Sequence, residues 1–125
     1  MSDYQEKRSG HFLAKIDIFP CGPENDRRDY PAFNRTFVRW GFSYADDYQK
    51  NPKNPGTSDI WPEFIDSTGV TIADDVPLIG TYMANMHIIS DTMINMHFER
   101  LSIGTIFYCM DGPIRVAEGT VVEIF

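Results

Sequence analysis

Tyr82-Met83-Ala84-Asn85-Met86-His87-Ile88-Ile89-Ser90-Asp91-Thr92-Met93-Ile94-Asn95-Met96-His97-Phe98-Glu99 is the stretch whose period sets the class of fold. Tyr82, Ala84, Met86 and Ile88 alternate with Met83, Asn85, His87 and Ile89. Successive side chains of a strand point to opposite faces, so a period of two reads as β. Ser90-Asp91-Thr92 turns the chain, and Ile94, Met96 and Phe98 then alternate with Asn95, His97 and Glu99. The segment predicts a β-hairpin with a three-residue loop.

The same period recurs outward in both directions. Towards the C-terminus, Ile103 to Met110 reads as a strand, Asp111-Gly112-Pro113 as a turn, and Ile114 to Phe125 as a long last strand. Gly119 inside it marks a bulge or a bend at a barrel corner. Towards the N-terminus, short strands are predicted at Val70 to Ala73 and Ile60 to Ile65, separated by Ser67-Thr68-Gly69. A further strand runs from Thr36 to Ser43, and the first from His11 to Phe19, with Phe12, Ala14, Ile16 and Ile18 on one side. Tyr44 to Asp59 holds Asn51-Pro52 and Asn54-Pro55-Gly56, breakers that exclude a long regular element. A loop of that length is either a contact surface or a mobile insertion. Residues 1–10 lack apolar periodicity and read as a flexible tail. The expectation is one all-β domain over residues 11–125, a small closed antiparallel barrel of about six strands with an inserted loop at 44–59 and no helix longer than two turns.

At 125 residues and 42% hydrophobic content the chain can bury a full core without disulfide or metal. Eighteen acidic against eleven basic side chains give a formal charge of −7. That balance repels phosphate backbones and suits either a basic protein partner or a plain solvated surface. The apolar runs are too short to span a membrane. Met1 to Arg8 is polar and does not read as a signal peptide, which predicts a cytoplasmic protein whose Cys21 and Cys109 stay reduced.

The order of these pieces resembles the third, C-terminal β-barrel domain of translation elongation factor Tu. Phe107 to Phe125 lies without gaps on that family's last two strands: a phenylalanine-led strand, the Asp111-Gly112 turn, and a valine-rich strand broken by Gly119. His11 to Ile18 is similar to its first strand, Arg28 to Arg35 to the proline-phenylalanine-asparagine loop before its second, and Asp75 to Gly80 to a proline-glycine turn. The resemblance covers about residues 11–125 and implies a stand-alone barrel. The family's GTP-binding domain and its G-x-x-x-x-G-K-[ST] phosphate loop are absent from the sequence, which excludes GTP hydrolysis by this chain. In the family this barrel grips the T-stem of aminoacyl-tRNA and meets protein partners. The corresponding stretch is shortened here to Asn34-Arg35-Thr36, Pro113-Ile114 replaces a glycine-arginine pair, and about 43–59 has no counterpart.

The resemblance therefore implies a non-enzymatic protein-binding module. It could be an immunity or antitoxin-like protein that masks a basic partner, or a mimic of the factor's barrel towards the factor's own partners. The contact surface is expected at Tyr44, Asp46, Asp47, Tyr48, Asp59 and Trp61, because rigid aromatics anchor interfaces while carboxylates steer a basic partner. Trp61 as a plug of the barrel mouth is the rival reading. The alternative class is tRNA binding through Arg27, Arg28, Arg35 and Arg39, which the acidic balance disfavours. No catalytic constellation, cofactor motif or metal-ligand spacing is found. Cys109 should face the core with Phe107 and be inert, and the serines lack a G-x-S-x-G elbow. His87 and His97 would be outward diagonal neighbours on the predicted hairpin, too sparse a pair for a zinc site without further ligands. Met86 and Met96 should pack inward.

Overall fold

The computed structural model describes residues 10–20, 32–34 and 40–125. In chain order these form β1 (Phe12–Ile18), β2 (Ala32–Phe33), β3 (Gly41–Tyr44), α1 (Ala45–Lys50), β4 (Ile60–Ile65), β5 (Pro77–Leu78) and β6 (Gly80–Ile88). A 3-10 turn at Asp91–Met93 leads into α2 (Ile94–Arg100), and β7 (Ile106–Asp111) and β8 (Ile114–Ile124) complete the chain. The large sheet has six antiparallel strands in the order β3-β7-β8-β1-β6-β4, and β2 pairs with β5 in a separate two-stranded ladder.

The sheet curls around one apolar core, and the alternation read from the sequence sets its inner face. Phe12, Ala14, Ile16 and Ile18 of β1 are buried together with Ile60 and Phe64 of β4, Ala84 and Met86 of β6, and Phe107 and Cys109 of β7. Phe42 stacks on Phe107 at 4.4 Å between ring centres. The β7–β8 turn has only Gly112 and Pro113 between the paired Asp111 and Ile114. Gly112 takes φ +61°, and proline cannot follow it to positive φ. The loop thus follows the type II′ pattern, whose twist matches that of the flanking strands.

The expected closed barrel is corrected to a curled half-barrel. One isolated bridge, Phe42 to Ser58, joins β3 to the segment ahead of β4. Pro62 lies within β4 and has no N–H to offer a further strand. The free side of β4 is occupied instead by the buried Asn34. Its Nδ2 donates to the carbonyls of Phe64 and Ile72, each at 3.0 Å, and its Oδ1 accepts from the Phe64 N–H at 3.1 Å. The Ile72 N–H also donates to the Phe64 carbonyl at 3.0 Å. A side-chain amide thus stands where a neighbouring strand would be.

Three local expectations change. Ile94 to Glu99 is not the second strand of a hairpin but lies in α2, with Ile94 and Phe98 packed on the core beside the buried His97 and Leu101. Those positions are spaced i, i+3, i+4, i+7, which is helical. Met96 faces solvent as a consequence. The 44–59 segment is not a loop throughout: Tyr44 ends β3 and Ala45–Lys50 is helical, with Asp46 and Asp47 in its first turn and Lys50 in its last, as the helix dipole favours. Gly10, placed in the tail, is buried at φ +115°, where a Cβ would meet the Met86 carbonyl oxygen at 2.9 Å. The rest of the expected tail, Cys21 and the first half of the Thr36–Ser43 strand lie outside the described residues. Gly119 is not at a bulge: it pairs in register with Phe107 and with Ile16, a site of close approach, and the β8 register shifts fall at Val116 and Val122 instead.

Candidate functional site

Helix α1 continues directly from β3, so the residues around residue 44 are gathered on one edge of the half-barrel. The Tyr44 side chain turns inward, and its hydroxyl is hydrogen-bonded to Nδ1 of the buried His97 at 2.7 Å. Burial, reinforced by nearby Asp47 and opposed by Arg100, pushes the Tyr44 phenol up to about 12. Burial and the Arg100 charge hold His97 below the ordinary histidine range. Both groups are therefore uncharged at neutral pH and tie β3 to α2.

Arg100, at the end of α2, lies over the Tyr44 ring with its guanidinium carbon 3.8 Å from the ring centre. It donates two hydrogen bonds to Asp47, at 3.0 and 2.9 Å. Those bonds hold the Asp47 carboxyl below the usual range and raise the Arg100 guanidinium further. Beside this clasp a cleft of about 370 Å³ is lined by residues of α1, Arg100 and the strand β7 approach, among them Asp46, Gln49, Thr105 and Ile106. Asp46 is exposed on its wall. Ile103 and Ile106 are 72% and 45% exposed on the neighbouring segment. Tyr48, on the other side of α1, packs edge-on against Tyr108 at 4.9 Å.

The structure thus brings Tyr44, Asp46, Asp47 and Tyr48 together around α1. Tyr44 is buried and Asp47 is engaged, so Asp46 and Tyr48 are the more accessible of the set. Asp59 is exposed ahead of β4, where its carbonyl accepts from the Ile89 N–H at 2.9 Å. Trp61 is half-buried on β4, opposite His87. Arg27, Arg28, Arg35 and Arg39 lie outside the described residues.

His87 and His97 are not diagonal outward neighbours. Both are buried, His87 against Glu63 at 2.9 Å and His97 against Tyr44. Glu63 also accepts from the Thr71 hydroxyl at 2.7 Å, and the His87 bond foremost holds its carboxyl below the ordinary range. Cys109 is free and buried in the core, its thiol pushed up to about 12 by burial, which makes it inert as expected. Arg100 and Arg115 are the side chains that sequence reading missed. The Ile94/His97/Phe98/Leu101 spacing would have put Arg100 at a helix end. The turn at Gly112-Pro113 would have put Arg115 on the strand paired with that of Tyr108.

No protein-family model matches the chain, and a search of the curated proteins finds no match.

Proposed function

We propose that this chain is a non-enzymatic protein-binding module whose half-barrel is related to the third domain of elongation factor Tu, with its contact surface centred on α1. The observation that carries the reading is the accessible surface of α1. It sets exposed Asp46 on a cleft beside exposed Ile103 and Ile106, with Tyr48 on the adjoining face. Apolar side chains rimmed by carboxylate suit a partner surface that carries both aliphatic and basic groups.

Charge supports the same class of partner. The basic side chains among the described residues are Lys15, Lys50, Lys53, Arg100 and Arg115, and Arg100 is already bound to Asp47. Acidic side chains dominate that body, as they would in an immunity-like protein that masks a basic partner or in a mimic of the factor's barrel. The test is capture of the partner by the immobilised full chain from its source cell, followed by titration with variants. Asp46→Lys and Tyr48→Ala should each weaken the captured partner at least tenfold, about 1.4 kcal/mol, and the wild-type association rate should fall with salt. Affinity unchanged in both variants would place the contact elsewhere and refute the reading.

A further inference from the structure

Arg115 is exposed at the start of β8 and sits against three aromatic rings. Its guanidinium carbon is 4.6 Å from the centre of the Tyr108 ring, 5.2 Å from that of Tyr48 and 5.6 Å from that of Phe19. The rings come from different elements. Phe107 and Cys109 take the inner face of β7, so Tyr108 between them faces outward. Tyr48 arrives from α1 and braces Tyr108, and Phe19 follows β1. Aromatic faces attract the cation and hold its long side chain in place. Arginine's planar fork is thereby ordered in advance, which lowers the entropic cost of any contact it makes. Among the described residues the Arg115 guanidinium has no hydrogen-bond or ion-pair partner.

Arg100 shows the same arrangement completed. It too lies on a tyrosine ring, and its fork closes on both oxygens of Asp47. Among the described residues, Arg115 has the ring platform without the carboxylate. We propose that Arg115, held by Tyr108, Tyr48 and Phe19, is the docking point for a carboxylate presented by a protein partner. The fork matches a carboxylate bidentately, and arginine and tyrosine are the side chains most enriched at interface hot spots. The surroundings favour a singly charged anion over a phosphate polymer. Glu118 pairs with Tyr108 in the ladder and Asp17 with Glu118, so carboxylates flank the platform and repel a polyanion. The inference deepens the proposed contact surface, with which it shares Tyr48, and rests on that reading for the source of the carboxylate.

The experiment needs no partner. The arginine Nε–H resonances of the full chain are followed by NMR at constant ionic strength against acetate, N-acetylglutamate amide and inorganic phosphate. Arg115 should shift saturably with both carboxylates while Arg100, already bound to Asp47, stays in place. In Arg115→Lys the backbone amides around residue 115, which should shift saturably in the wild type, should no longer do so, and Tyr108→Leu should weaken binding at Arg115 at least threefold. A linear, unsaturable response at Arg115, or equal shifts at Arg100 and Arg115, overturns the proposal. Tighter binding of phosphate than of either carboxylate also overturns it, in favour of a phosphorylated ligand. Failure here with Asp46→Lys still weakening partner capture removes Arg115 alone; failure of both removes the surface.

Discussion

A Cβ on Gly119 would lie 2.2 Å from Cζ of Phe107, a ring that is fully buried and stacked on Phe42. The ring cannot retreat, because the core is packed on its far side. Gly119→Ala should therefore cost at least about 2 kcal/mol by overpacking, measured by urea denaturation. Phe107→Leu made in the Gly119→Ala background should cost less than Phe107→Leu alone; additive costs would mean that the clash is not the cause. His97 gives a second test at this scale. Its folded pKa lies below the ordinary 6.5, because burial and then Arg100 oppose its charge. The unfolded chain thus takes up the proton first, and stability is full above about 6.5. It falls progressively as pH drops below that value through the folded pKa. His97→Gln, which keeps a polar atom near the Tyr44 hydroxyl, should be less stable overall but flatter in stability between about pH 6.5 and 5. A variant with the wild-type slope would assign that slope to another group.

At the scale of elements, the seam of the half-barrel depends on a side chain. Asn34 bonds the N–H and carbonyl of Phe64 and the carbonyl of Ile72, so Asn34→Ala leaves the Phe64 N–H and the Ile72 carbonyl without that partner, while the Phe64 carbonyl keeps the Ile72 N–H. Each loss costs about 1–3 kcal/mol, and the Phe64 amide should lose most of its protection against hydrogen exchange while amides of β1 retain theirs. Asn34→Asp keeps the acceptor but loses both donors, and should fall between the two. Equal protection in all three proteins would show that another group covers the edge. The Asp47–Arg100 clasp is a different kind of contact. Its groups are 36% and 39% exposed, so despite its two bonds a double-mutant cycle should give no more than about 1 kcal/mol. Its role is to join α1 to α2 beside the cleft.

For the whole molecule, the distribution of charge matters more than any single pair. Among the described residues acidic side chains outnumber basic ones, and a body of that sign repels a phosphate backbone before contact. At physiological salt the protein should show no specific binding of aminoacyl-tRNA in a filter assay. Submicromolar, salt-sensitive binding that is lost in Arg35→Glu would overturn this and favour the nucleic-acid reading instead.

The sequence by itself determined the inner face of the sheet, because burial enforces a period of two wherever one face meets the core: Phe12, Ala14, Ile16 and Ile18 are all buried. It also determined the tight β7–β8 turn, since glycine ahead of proline leaves few backbone options. It did not separate helix from strand at Ile94 to Phe98, where a few apolar residues satisfy both periods; only Leu101, a full two turns on, breaks the tie. The candidate surface was legible in part. Asp46 and Tyr48 stand out as composition in a breaker-rich segment, but the partners that fix their setting, Arg100, Tyr108 and Arg115, are more than fifty residues away in the chain. Whether the curled sheet closes, and which arginine is paired with a carboxylate among the described residues, are contacts between distant segments, and only the tertiary structure decided them.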